Sequence, residues 1–191
     1  MIRSFHNIGR RRRAGCRISS NIYSYFTTEI QDIIGKKNLL SPSAGNDQLS
    51  KYRVDWTRSF QGGHLVATPT TTESLSSLLK FCHGNNIQVV PQGGNTSLAG
   101  GSIPIGEEMI ISMEKFNRIL EIDINESVLV AESGCVLDDL FQAVAPQNLM
   151  LPIDLGARGS SMIGENVATN AGGIRVLRYS NCLYAECIPL S

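Results

Sequence analysis

The residues best suited to chemistry lie in two glycine-rich stretches. The first is Pro91-Gln92-Gly93-Gly94-Asn95-Thr96-Ser97-Leu98-Ala99-Gly100-Gly101-Ser102, four glycines with small hydroxyl and amide side chains between them. Ordering so much glycine costs conformational entropy, so a plain connector is seldom built this way. Glycine lets the backbone take a positive φ or approach a neighbour closely, and successive free N–H groups form a concave nest for a phosphate. A Walker loop needs GxxxxGK[ST], and Gly100-Gly101-Ser102 supplies no lysine at that spacing. A dinucleotide GxGxxG is absent too, because Gly93 and Gly94 are adjacent and no third glycine falls in register. The spacing describes an anion cradle of neither common kind, with a long surface turn as the plain alternative.

The second stretch, Pro152-Ile153-Asp154-Leu155-Gly156-Ala157-Arg158-Gly159-Ser160-Ser161, leads into Ile163-Gly164-Glu165-Asn166-Val167-Ala168-Thr169-Asn170-Ala171-Gly172-Gly173. It is again dominated by Gly, Ser, Thr and Asn. Two such loops could bracket one extended, flat, anionic ligand, and FAD fits that description, with a diphosphate for the N–H groups and a ring needing close backbone approach. Arg158 and Arg175 are candidates for a phosphate contact, with a solvated surface position as the alternative. Asp138 and Asp139 read as helix-start charges rather than catalysts. The cysteines (16, 82, 135, 182 and 187) form no CxxC pair, the histidines (6, 64 and 83) are scattered, and no zinc-type spacing exists, so no metal is expected.

Both stretches must be held by the elements around them. His64 to Ala67 reads as a short strand. Thr70 and Glu73 stand in capping-box spacing, and Leu75, Leu78, Leu79 and Cys82 make one apolar helical stripe, ended by Gly84-Asn85-Asn86. Ile87 to Val90 is a second strand, so the order predicts a βαβ unit with a parallel pair that delivers the first loop. Met109 to Ser112, Ile119 to Ile124 and Val128 to Ala131 read as strands of a mixed, more antiparallel part, and Leu137, Leu140, Phe141 and Val144 mark another amphipathic helix. The fold class expected is α+β in two subdomains. Residues 29–60 read as a polar lead-in with a helical turn around Asp47 to Tyr52.

Formal net charge is zero, with 17 basic and 17 acidic residues, but the balance is uneven. Residues 1–28 hold Arg3, Arg10, Arg11, Arg12, Arg13 and Arg17 and no acid, a charge of +6 against −6 for the remainder. Arginine and serine without acids, interspersed with Ile2, Phe5, Ile8, Ile18, Ile22, Tyr25 and Phe26, is the composition of a mitochondrial transit peptide; a basic tail or nucleic-acid arm is the alternative. The apolar interspersion favours import, and neither a nucleic-acid partner nor an integral membrane position is expected.

Taken together, the motifs resemble the FAD-binding domain of the vanillyl-alcohol-oxidase and p-cresol-methylhydroxylase (PCMH-type) flavoproteins, within the branch that oxidises D-2-hydroxy acids. PQGGNTSLAGGS resembles that branch's first flavin loop, LPIDLGARGS followed by NVATNAGG its second, and Tyr52-Arg53-Val54-Asp55-Trp56 its lead-in; the likeness runs from about Tyr52 to Tyr179. The resemblance implies a two-subdomain PCMH-type fold over residues 61–180 and a non-covalently held FAD. Gly93, Gly94, Asn95, Thr96 and Ser97 would hold the pyrophosphate. Pro152, Asp154, Gly156, Ser160, Gly164, Asn166, Ala168, Thr169, Gly172 and Gly173 would line the adenine-to-flavin path.

It also implies a mitochondrial matrix dehydrogenase that oxidises D-2-hydroxyglutarate to 2-oxoglutarate, with D-lactate as the alternative substrate. Electrons would pass to electron-transfer flavoprotein or another acceptor. Two departures are expected to matter. Glu165 stands where the family has a second glycine after Gly164, placing negative charge and bulk near an anionic cofactor. Residues 181–191 do not resemble the domain's strand-rich continuation, and the family's metal-binding histidines and substrate-orienting arginine lie in a cap with no counterpart here. No catalytic residue is therefore assigned, and a truncated, catalytically inactive fragment is the rival to a working enzyme. A nucleotide-binding module of another class is the weakest reading.

Overall fold

The apolar run Met109–Ser112 becomes strand β4 at the centre of a four-stranded sheet, and it is buried along its whole length in the computed structural model, which describes residues 21–41, 46–180 and 188–189. A strand covered on both faces is typically apolar continuously rather than alternately, as Met109, Ile110 and Ile111 are before the buried Ser112. The sheet order is β1-β2-β4-β3, with β1 Leu39–Leu40, β2 Val66–Ala67 and β3 Val89–Gln92. Strands β2 and β3 both pair with β4 in parallel, and β1 pairs with β2 antiparallel. The βαβ unit is therefore present, but its two strands are not neighbours. β4, expected in the antiparallel part, inserts between them and, like β2, is buried on both faces as an interior strand.

Helices α1 (Asn21–Ile34) and α3 (Thr72–Gly84) cover one face of that sheet. Ile30 and Ile34 of α1 join Leu78, Cys82, Ala67, Met109 and Ile111 in one apolar cluster, and Phe26 meets Phe81 edge-to-face at 5.5 Å. The lead-in is thus less polar in role than its composition suggests. Helix α1 runs across residue 28, the boundary expected for a transit peptide, whose residues 1–20 lie outside the described residues. On the opposite face α2 (Asn46–Arg53) lays Leu49 and Tyr52 against Val66 and Ile110, the side chains one position out of phase with Met109 and Ile111. Two details of α3 differ from expectation. Its cap is Thr71, paired reciprocally with Ser74, one position beyond the Thr70–Glu73 pair, and Leu79 is 42% exposed.

The second subdomain has its own core. Strands β5 (Ile119–Asp123) and β6 (Val128–Ala131) form the antiparallel hairpin expected, closed by Asp123, whose Oδ1 accepts from the N–H groups of Asn125 and Glu126. Helix α4 (Leu137–Val144) buries Leu137, Leu140 and Val144 against Leu149, Leu151 and Ile153. Strand β7 (Leu149–Met150) pairs antiparallel with β8 (Ile188–Pro189). The segment 181–191, expected to diverge, thus supplies one short strand to this subdomain. A short helix, α5 (Ile163–Ala168), interrupts the second glycine-rich stretch, which the sequence had suggested was loop throughout, and a second, α6 (Val176–Tyr179), follows it.

Candidate functional site

The first loop leaves β3 at Gln92 and is fixed from beneath by that residue. Gln92 is buried, and its Nε2 donates to the Tyr52 and Ser102 carbonyls, both at 2.9 Å. Asn95 then takes φ +57°, in the left-handed region that asparagine tolerates. Its Nδ2 donates to the Val54 carbonyl at 2.8 Å, and its Oδ1 accepts from Ser102 Oγ at 2.7 Å. The Asn95 side chain, expected at a cofactor, is therefore turned into the fold and ties the loop to the lead-in. Sequence reasoning passed over Gln92 and Ser102 as fasteners; a glutamine closing an otherwise apolar strand was the available signal.

The second stretch is anchored on the segment leading into α4. Leu137 N–H donates to the Ser161 carbonyl at 2.9 Å, Asp138 N–H to Arg158 at 3.0 Å, and Ile163 N–H to Cys135 at 2.9 Å. Gly164 is needed for this approach, because a Cβ there would lie 2.6 Å from Ser133 Cβ. Further along, Asp154 and Gly173 form a parallel bridge, and Gly173 has φ +88° with no room for a Cβ beside the Asp154 carbonyl. Pro152 and Asn166 are buried, whereas Ala168 and Thr169 are exposed, and the Thr169 hydroxyl donates back to the Glu165 carbonyl at 2.7 Å.

These anchors press the two stretches together. A Cβ on Gly94 would sit 1.9 Å from the Ser160 carbonyl oxygen, so the first two glycines of the loop are there for contact with the second stretch, not for a positive φ. Glu165 bridges the stretches, its Oε1 accepting from Thr96 Oγ1 at 2.8 Å and from Met162 N–H at 3.1 Å. Beside this junction opens a cavity of about 440 Å³, within the range of roughly 300–1,000 Å³ usual for small-molecule sites. Thr96, Gly156 and Ser160 border it, with Ala157 and Gly159 between them and Trp56 and Leu98 at the rim. Trp56, the one tryptophan of the chain, is 75% exposed on a turn that Asp55 holds by accepting from the Thr57 and Phe60 N–H groups and the Thr57 hydroxyl.

The donor set fits an anionic cofactor. Among the described residues, no main-chain N–H from Gly93 to Leu98 donates to an acceptor of the chain, and neither does that of Gly156, Ala157 or Gly159. Gly156 and Gly159 have open space where a Cβ would stand. Asn166 Nδ2 is buried without a partner while its Oδ1 accepts from Ser161 Oγ at 2.7 Å. Positive side-chain charge contributes little. Arg158 pairs with Asp138 at 3.1 Å and Asp154 at 3.8 Å, Arg175 pairs with Asp154 at 3.4 Å, and both guanidinia lie over the Phe141 ring. Neither arginine is thus an unpaired cation aimed at the loop, and Asp138 serves the ion pair from the first turn of α4. The attraction for an anion comes from N–H dipoles.

A sheet-bound glycine loop, a second small-residue stretch packed on it and an unused row of N–H donors define a nucleotide-cofactor domain of the two-subdomain PCMH type. Residues 64–189 match the FAD binding domain family, and the chain belongs to that family. The match continues past Tyr179 and takes in β8. The chain is 39% identical over 165 residues to the mitochondrial D-2-hydroxyglutarate dehydrogenase of Arabidopsis thaliana, an alignment covering 86% of this chain and 28% of that protein. It is 46% identical over 136 residues to the protein of the same name from Bos taurus, covering 71% of this chain and 25% of the relative. The chain thus spans a quarter to somewhat over a quarter of the length of these relatives. The fold is that of p-cresol methylhydroxylase, with a TM-score of 0.66 at 20% identity over 82% of this chain and 30% of that one.

Proposed function

We propose that this chain is the FAD-holding part of a mitochondrial dehydrogenase that oxidises a D-2-hydroxy acid, D-2-hydroxyglutarate before D-lactate. The observation that carries the reading is the row of unpartnered N–H groups from Gly93 to Leu98 beside the open faces of Gly156 and Gly159. Relatives named for D-2-hydroxyglutarate and the FAD binding domain match support the cofactor and the substrate class. The main-chain N–H groups of Gly93, Gly94, Asn95, Thr96 and Ser97 bind the diphosphate. Gly156, Ser160 and Asn166 border its path, and Pro152, Asp154, Gly164, Gly172 and Gly173 set the backbone around it. Ala168 and Thr169 complete the stretch from its solvent side.

A flavin held by the first loop and the second stretch would supply a hydride acceptor for the substrate α-carbon, the product being a 2-oxo acid and the onward electron acceptor one such as electron-transfer flavoprotein. This chain's own part is to bind and orient the cofactor; no residue of it is assigned to proton removal. Compartment is the mitochondrial matrix, directed by residues 1–28, whose deletion is expected to abolish import of a fused reporter. The central test is reconstitution of the purified chain with FAD, followed by desalting and measurement of retained flavin absorption. Dye reduction with D-2-hydroxyglutarate and with D-lactate then separates binding from turnover. Absence of flavin binding at equilibrium as well as after desalting refutes the reading, and retained flavin with D-lactate oxidation alone reverses the substrate order.

A further inference from the structure

Glu165 stands inside the proposed cofactor cradle rather than beside it. Its Oε2 lies 2.8 Å from where a Cβ on Gly93 would be, and its Oε1 lies 3.2 Å from the corresponding point on Gly94. The same carboxylate accepts the Thr96 hydroxyl, so the first loop's row of donors opens directly onto a fixed negative charge. None of the ion pairs among the described residues involves this carboxylate. Lys51 is held by Glu114, Arg118 by Glu132, and Arg158 and Arg175 by Asp138 and Asp154. The contacts that keep Glu165 in place are hydrogen bonds from Thr96 and Met162, which orient the carboxylate without cancelling its charge.

We propose that Glu165 is an affinity-setting residue, an internal anion that weakens binding of a diphosphate-bearing cofactor at the first loop while leaving a phosphate-free flavin unaffected. The inference rests on the flavin-site reading above. Two like charges within several ångströms in a partly buried site repel by more than the thermal energy, so removing one is expected to tighten binding by about tenfold or more. The Thr96 hydroxyl, now given to the carboxylate, is also withheld from any phosphate. Holding the loops together and holding the charge are separable tasks, because a glutamine keeps the Oε1 acceptor for Thr96 and Met162 and loses only the charge.

The test measures binding of FAD, ADP and riboflavin by quenching of Trp56 fluorescence at the cavity rim, in the full chain, for wild type, Glu165→Gln and Glu165→Gly, with circular dichroism as the folding check. The expected result is about tenfold tighter FAD and ADP in the Gln variant with riboflavin unchanged. FAD affinity equal to or weaker than wild type in whichever variant folds overturns the proposal, as does an equal gain for riboflavin. If neither wild type nor variants bind FAD or ADP, the flavin-site reading itself falls. Wild-type binding that the variants merely match refutes the role of Glu165 alone.

Discussion

Gly94→Ala isolates what the first loop's glycines do. The added Cβ would lie 1.9 Å from the Ser160 carbonyl oxygen and 2.8 Å from its carbon, well inside the 3.0 Å that real Cβ contacts respect. One backbone must retreat by about 1 Å, and neither retreats cheaply. Ser160 is hydrogen-bonded to the Ala157 carbonyl at 2.9 Å, and its neighbours Ser161 and Arg158 accept from Leu137 and Asp138. On the other side the Asn95 side chain is fastened to Val54 and Ser102. Because backbone rather than a flexible side chain is displaced, the cost belongs at the upper end of overpacking, about 3 kcal/mol. Gly101→Ala is the control, since its Cβ meets nothing within 4 Å and its φ is not positive; its effect should stay within about 0.5 kcal/mol. Urea unfolding followed by far-ultraviolet circular dichroism reads both, with the midpoint shifted and the slope unchanged. A Gly94→Ala midpoint equal to that of Gly101→Ala would refute the idea that contact between the stretches fixes the loop.

Gly156→Ala should behave in the opposite sense, folding like wild type but retaining less FAD after desalting, because its Cβ projects into open space at the cavity. Thr71→Ala should cost about 1 kcal/mol by removing the α3 cap, whereas Thr70→Ala should be nearly neutral; equal thermal shifts would contradict the cap assignment. Glu114 is partly buried, which favours its neutral form. The Tyr52 hydroxyl at 2.6 Å and the Lys51 ammonium at 2.9 Å outweigh that and hold its carboxyl below the ordinary 4.5. Its stabilising contribution is therefore complete above pH 4.5 and lost as pH falls through the lower folded value, so the stability gap between wild type and Glu114→Gln should close on acidification. A gap unchanged down to the acid transition would oppose this. Burial pushes the Cys82 thiol up to about 11, and peptide mapping after alkylation of the native protein should find it unmodified near neutral pH.

Much of the local structure was legible because it depends on local rules. The α4 stripe of Leu137, Leu140 and Val144, the β5–β6 hairpin and the helix α3 follow from periodicity and turn chemistry that a short window contains. The sheet order was not legible. Met109–Ser112 reads as an apolar strand from its residues, but its insertion between β2 and β3 depends on which strands need cover on both faces, a property of the assembled sheet. Helix α1 was missed because Ile30 and Ile34 look like scattered apolar residues until α3 and the sheet provide a surface for them.

The candidate site divides along the same line. Residue types and spacing by themselves determined that Pro91–Ser102 and the stretch from Pro152 to Gly173 form a pair of small-residue loops suited to an extended anion, since only glycine and short polar side chains permit close backbone approach. The tertiary structure alone decided how each residue is used. Gly93 and Gly94 make room for Ser160 and Glu165, Asn95 fastens the loop inward, the arginines are taken up by Asp138 and Asp154, and Thr96 faces a carboxylate. Those assignments follow from contacts between residues far apart in the chain, and no short-range pattern encodes which surfaces will meet.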